Sequence, residues 1–277
     1  MLEARLPLEL ERDIFELAAR SSPTHIPDLM LVAQRVKTWI EPILYRVIVL
    51  ADHPGNLRIT WGTLCQLADS KPYAFWRDTV RDLLISSRYV ADVPGILAAC
   101  SGVTNLGLRN TIGPECLPPL QALPIVRLFA DIRPLFGGCK VDFAHPLFAH
   151  LTHLGVADWL SDTDFEAWAD GLANLPCLTH LSFHNRHHAR LFRLLLDACP
   201  HLAALVVCVS NAQYLEVLRC RSAFFADDVR AVIIVVASSC ADWQAGARGQ
   251  PDYWERADRF IRQRREGEVS AEMYVVD

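Results

Sequence analysis

The chain has 277 residues, 52% of them hydrophobic, with a formal net charge of −5 and a sequence pI of about 6.1. That is enough material for one or two domains with a sizeable core, and it lacks the basic balance expected of a nucleic-acid-binding protein. Nine cysteines, an odd number scattered without a CxxC pair, argue against a disulfide framework and predict small core hydrophobes in a reducing compartment.

No basic leader followed by an apolar run opens the chain, so no secretory signal is expected. Apolar stretches such as residues 231–237 are far short of the roughly 20 residues a spanning helix needs. The expectation is a cytoplasmic or nuclear protein that contacts neither membrane nor nucleic acid. A basic cluster, Arg259, Arg262, Arg264 and Arg265, is flanked by the acidic residues Asp258 and Glu266 and reads as a solvated helix face.

Residues 6–20 predict an amphipathic helix. Pro7 suits its first turn, and Leu10, Ile14 and Leu17 recur at i, i+4 and i+7, widened by Phe15 and Ala18. Ser21, Ser22 and Pro23 break it. A second apolar segment covers residues 28–33. A third, residues 36–40, places Val36, Trp39 and Ile40 on one face, and Pro42 is expected to mark a kink or boundary. Three helices in about 45 residues bury little surface, so the module should need a partner or the rest of the chain.

These residues resemble an F-box. Leu6-Pro7-Leu8-Glu9-Leu10 with Ile14-Phe15 is similar to its opening. Leu29-Met30-Leu31-Val32, Arg35-Val36-Lys37-Thr38-Trp39 and Pro42-Ile43-Leu44-Tyr45-Arg46 are similar to its second half. The likeness is to F-box-like proteins of fungi that carry leucine-rich repeats, with Ala33 standing where that family has a cysteine. It implies docking to the small Skp-type adaptor of a cullin-based SCF ubiquitin ligase, through Leu6, Pro7, Leu10, Ile14, Val32 and Trp39. The other reading is a helical cap that only seals the first repeat of a solenoid.

From residue 80 one row recurs: apolar, two others, apolar, one other, apolar. The rows are Val80/Leu83/Ile85, Val103/Leu106/Leu108, Ile125/Leu128/Ala130, Leu151/Leu154/Val156, Leu178/Leu181/Phe183, Leu202/Leu205/Val207 and Val229/Val232/Ile234. Their central residues lie 23, 22, 26, 27, 24 and 27 positions apart, within the 20–29-residue period of leucine-rich repeats. Each row predicts a short strand whose three apolar side chains point into a shared core. Residues 163–175, with Phe165, Trp168, Leu172 and Leu175, and residues 188–199 predict covering helices, while residues 114–124, with four prolines, predict an irregular or 3₁₀ turn. The asparagine or cysteine expected three residues past each row is replaced by Arg88, Thr111, Arg133, Trp159, Arg186 and Ser210, which predicts a degenerate, unevenly curved solenoid.

The intervening positions of each strand should face the concave side. There Phe129, among Arg109, Arg127 and Asp131, is a candidate partner hot spot, and His153, His180 and His184 read as exposed polar contacts rather than a metal site. In the last two rows the concave positions are apolar: Ala204, Val206 and Cys208, then Ala231, Ile233 and Val235. Strands apolar on both faces are normally covered on both. The tail should supply the cover with a helix over residues 251–265, carrying Trp254, Ala257, Phe260 and Ile261 and stopped by Gly267. Trp159, Trp168, Trp243 and Trp254 read as core anchors.

The expected organisation is therefore α/β. An F-box-like helical module (1–50) and a linking helical segment (51–79) precede a leucine-rich-repeat solenoid of about seven strands (80–237) and a C-terminal capping segment (238–277). No phosphate-binding loop, nucleophile elbow or HExxH motif occurs. No catalytic residue, metal or cofactor is expected, and the functional expectation is a non-enzymatic substrate-recognition subunit of an SCF-type ligase with an unknown protein substrate. The alternative is a repeat scaffold that does not engage the ligase.

Overall fold

A computed structural model describes residues 6–51, 60–86, 90–109, 112–184, 188–210, 215, 223–270 and 272–276. The chain is α/β and is built on one nine-stranded sheet, entirely parallel, whose strands follow one another in chain order.

The N-terminal helices are α1 (Leu8–Ser21), α2 (Ile26–Leu29), entered through a 3₁₀ turn at Pro23–His25, and α3 (Gln34–Tyr45). Pro7 precedes α1 at the N-cap position, and Glu9 and Glu11 in the first turn complement the helix dipole. Ala19, Ile26, Val36 and Ile40 form the small core, with Phe15, Met30 and Trp39 packed against it. The expected segment 28–33 is a helix only up to Leu29. Nor does Pro42 end a helix, because α3 runs through it to Tyr45. Only one intrahelical bond is lost there, and burial of Tyr45 in the main core, with Leu44 packed on it, holds the last turn in place.

The strands are β1 (Val47–Ala51), β2 (Asp82–Ser86), β3 (Asn105–Leu108), β4 (Arg127–Ala130), β5 (His153–Val156), β6 (His180–His184), β7 (Ala204–Val209), β8 (Ala231–Val235) and β9 (Val275–Val276). Nine strands replace the expected seven. The first lies across the expected boundary at residue 50, and the last comes from the expected capping segment. Leu83, Leu106, Leu128, Leu154, Leu181 and Leu205 are directly paired across the sheet, so the leucines of successive rows stack into one core.

That core is closed by helices on one face. They are α4 (Trp61–Ser70), α5 (Tyr73–Thr79), α6 (Val93–Ala99), α7 (Leu117–Gln121), α8 (Ile132–Leu135), α9 (Phe165–Ala173) and α10 (Ala189–Ala198), which contribute among others Trp76, Leu97, Leu120, Phe165 and Phe192. A 3₁₀ turn at Pro114–Cys116 leads into α7, which tolerates Pro118 because a proline near a helix start sacrifices no bond. Of the row-end positions, Arg88, Thr111 and Arg186 lie outside the described residues.

β8 departs from the expected register. Leu205 pairs with Ala231, not Val232. Ala231 and Ile233 therefore join the helix-side core while Val232 and Ile234 face the other way. A slip of one residue turns every side chain over. The turn before the strand accounts for it. Arg230 donates to the Asp228 carboxylate and to the backbone carbonyls of Leu196 and Cys199, which pins the entry point.

The second face of the sheet is covered by the tail. Helix α11 (Ser239–Ala247) packs on β1 and β2, and α12 (Tyr253–Glu266) on β7, β8 and β9. Gly267 ends α12 in the left-handed conformation, with φ of 74°. Trp168, Trp243 and Trp254 are buried, whereas Trp159, expected in the core, is exposed.

Candidate interaction surfaces

Two regions hold the candidate residues. The first is the N-terminal module. On α1 the inward residues are Ala19 and, in part, Phe15 and Ala18. The stripe Leu10, Ile14 and Leu17 points outward and is 51%, 53% and 66% exposed. Leu8 continues it at the helix start, and Leu6 and Pro7 beyond it. In the turn before α3, Leu31 is 84% and Val32 62% exposed. Trp39 differs: it is half buried against the module's core and supports the surface from below. Leu8, Leu17 and Leu31 are additions to the expected contact set. An i, i+4, i+7 stripe indicates an apolar face, but periodicity alone cannot say whether that face looks inward. The module is held in shape by Arg35, which donates to the Glu11 carboxylate at 2.7 Å and keeps that carboxyl below its usual range. Exposed apolar residues grouped in this way make the module a candidate interaction surface.

The second region is the face of the sheet opposite the helix layer. The register brings the expected residues together there, but not as a free surface. Phe129 is 5% exposed, packed with Leu84, Ala157 and Trp243 of α11. This overturns the exposed hot spot, because the tail already occupies the site. Gly155 on the next strand makes room for the ring. A Cβ there would lie 2.9 Å from Phe129 Cδ2 and 3.2 Å from the Tyr253 hydroxyl. Arg109 holds Asp131 at 3.1 Å and lies over the Phe129 ring at 5.1 Å.

His184 is also buried, contrary to its expected exposure. Its Nε2 is 3.3 Å from Ser182 Oγ, and its Nδ1 is 3.1 Å from Ser239 Oγ at the start of α11. Burial pushes its pKa down to about 3. The rings of His153 and His180 stack at 4.1 Å beneath the edge of Trp254, and His180 Nε2 meets Asp258 of α12 at 3.0 Å. Burial, followed by the charges of His180 and Arg127, lowers His153 to about 3. These histidines hold the chain's own tail instead of facing solvent. Arg127 is the exception. Its guanidinium is only loosely held by Asp252, at 3.4 Å, and it lines an open cleft.

Asp158 accepts the backbone N–H groups of Ile132 and Arg133 at the start of α8, and burial raises it to about 6. It serves as a helix-start acceptor. Among the described residues no cluster of three or more histidine, cysteine or acidic side chains suits a metal ion, and no helix is long and apolar enough to cross a membrane. No protein-family model, curated protein or solved structure matches the chain.

Proposed function

We propose that this chain is a protein–protein interaction adaptor whose N-terminal module docks the Skp-type adaptor of an SCF-type ubiquitin ligase. In this reading the parallel-sheet body is a degenerate leucine-rich-repeat solenoid that presents a protein substrate to the cullin. The observation that carries the reading is the outward stripe Leu10, Ile14 and Leu17 with Leu31 and Val32 beside it, in a segment whose sequence resembles an F-box. Leucine and isoleucine side chains left half or more in water are each worth on the order of 1 kcal/mol when a partner covers them. The same stripe contributes little to the module's own core, so it is available for a partner without unfolding. No catalysis is assigned, and the setting is cytoplasm or nucleus.

The test is capture of the Skp-type adaptor by the full chain and by the double variant Leu10→Ala, Ile14→Ala. If both side chains are interface anchors, binding weakens by about 2 kcal/mol, roughly thirty-fold. Melting stays within about 2 °C, since exposed sites contribute little to stability. Undiminished capture refutes this face. Failure of the parent chain to capture the adaptor favours the second reading, a repeat-type scaffold outside the ligase, for which Ala33 in place of the family's cysteine is the supporting feature.

A further inference from the structure

The N-terminal module does not close against the sheet. Between α3, the starts of β2 to β4 and the turn after α11 lies an open cleft of about 970 Å³. Arg20, Arg46, Arg81, Arg127 and Arg248 line it, against Asp78 and Asp82. That is a local excess of three positive charges in a chain whose net charge is −5. The arginines are not equivalent. Arg81 is structural, donating to the carbonyls of Arg77, Asp78 and Gly102. Arg20 is paired with Glu16, and the exposed Asp78 with Arg77.

Three guanidinium groups are left with spare capacity. Arg127 is loosely held at 3.4 Å by Asp252, and Arg46 stands 3.8 Å from Asp82. The guanidinium of Arg248, half buried at the end of α11, has neither hydrogen bond nor ion pair among the described residues. A desolvated cation without a counter-charge is costly. A guanidinium fork suits a carboxylate better than any other planar acceptor a protein offers.

The floor is closed. Asp82 is 7% exposed; its Oδ1 accepts from Asn105 Nδ2 at 3.0 Å, and its Oδ2, 3.8 Å from Arg46 Nε, is buried out of a ligand's reach. Between these polar groups lie apolar side chains, Ile43, Val47 and the part-exposed Val126. The arginines come from separate elements around a cavity the size of a drug-like ligand, not from one loop closing on a single point. Spread cations with apolar walls between them match an extended peptide in which acidic and apolar side chains alternate. A neighbouring recess shares Arg127 but is flanked by Asp252, Glu255 and Asp258, so the acidic end of the ligand belongs at Arg46, Arg127 and Arg248.

We propose that this cleft binds an acidic, extended peptide segment of a client protein, with its carboxylates on Arg46, Arg127 and Arg248 and its apolar side chains on Ile43, Val47 and Val126. The site is separate from the apolar stripe of α1, so it stands whether or not the chain engages a ligase. The experiment is fluorescence anisotropy on the full chain with a labelled peptide of alternating glutamate and valine, six residues long, and its lysine–valine counterpart as control. The glutamate peptide should bind saturably and weaken several-fold between about 50 and 500 mM salt, as screening shortens the reach of the charges. The lysine peptide should not bind. Arg46→Gln with Arg248→Gln should lower affinity at least tenfold without a change in melting. Should the pair melt lower, Arg248→Gln alone, at a site with no internal partner, should still weaken binding several-fold. Leu10→Ala with Ile14→Ala should leave the peptide affinity unchanged. Absence of saturable binding, equal binding by the arginine variants, or displacement of the peptide by micromolar tripolyphosphate would overturn the assignment, the last by showing a compact polyanion site instead.

Discussion

Arg264 offers the sharpest test of how the tail is held. It lies in the last turn of α12 and is 6% exposed. Its Nη1 donates to the carbonyl oxygens of Asp228, Val229 and Ala231 at 3.3, 3.2 and 3.1 Å, and its Nη2 to those of Phe225 and Ala226 at 3.2 and 3.3 Å. One side chain thus ties the turn that enters β8 to the helix covering β7 and β8. Arg264→Met keeps most of the apolar stem and removes every donor. Bonds from a charged donor are worth about 1.5–3 kcal/mol each in isolation, but five sharing one guanidinium are not additive, and the buried cation carries its own desolvation cost. A loss of about 3–5 kcal/mol follows. For a chain of this size that is a fall in Tm of roughly 6–15 °C. Amide hydrogen exchange across residues 223–231 should accelerate with it, while Arg265→Met, one exposed position along, should change neither reading by more than a few tenths of a kcal/mol. A melting change below about 2 °C in Arg264→Met, or unaltered exchange in that turn, would refute the argument that this contact locks the tail.

Phe129→Ala should cost about 3–5 kcal/mol in a urea titration by opening a cavity beneath Trp243; a cost below about 1 kcal/mol would mean the ring is not the buried anchor described. Acid should destabilise the fold between pH 7 and 5. His153 and His184 are held neutral, with pKa values pushed down to about 3, so their contribution is complete above the unfolded value of about 6.5 and is lost as pH falls toward 3. Asp158, raised to about 6, works in the opposite sense. Its favourable share is present below the unfolded value and lost as pH rises through 6, so acidification regains part of what the histidines lose. The net expectation at pH 5 is a loss of about 2–3 kcal/mol, read as a lower urea midpoint, and the double variant His153→Gln, His184→Gln should abolish it. A midpoint unchanged between pH 7 and 5 in the parent chain would contradict the neutral burial of these rings.

The repeated rows were legible because each carries its own parity signal. From β2 to β6 polar or glycine residues such as Asp82, Asn105, Gly107, Arg127, Gly155 and Ser182 alternate with core leucines, and the observed register places Leu83, Leu106, Leu128, Leu154 and Leu181 in one line. At residues 229–237 that signal is missing. Every second position is as apolar as its neighbour, so either parity buries equally well in sequence, and only the Asp228–Arg230 turn selects the observed one. The strand Val47–Ala51 was hidden for a different reason. Its run of β-branched residues directly follows a helix that proline was expected to stop, and Tyr45 carries that helix to within two residues of the strand. Arg46 and Arg81 precede β1 and β2 at equivalent positions of the register, where the Arg81 N–H reaches the Arg46 carbonyl. The spacing of those arginines was visible in the sequence, but their convergence with Arg248 needed the tail to be in place.

The face of the sheet opposite the helix layer departs from its expected exposure for a physical reason that the sequence contains. A polar side chain at a strand position is compatible with solvent, with a partner, or with another part of the same chain, and His184, Ser182 and His180 take the third course through Ser239, Tyr253 and Asp258. Residue type cannot separate these cases, but neighbours can. β7 and β8 called for a cover because both of their faces are apolar. The same test applies at the other end of the sheet. Val47, Val49, Leu84 and Phe129 are apolar at concave positions, and Gly107 sits beside Leu84, where a Cβ would lie 2.3 Å from its Cδ1. A glycine paired with a large apolar side chain on a supposedly wet face signals that the side chain lies flat beneath something. Applied to every row, the argument extends the cover from two strands to most of the sheet, assigns Trp243 to it, and leaves only the rim uncovered, where Arg46, Arg127 and Arg248 meet solvent. Among the described residues the second face of the sheet is filled by the chain's own helices, and this rim is where it stays open.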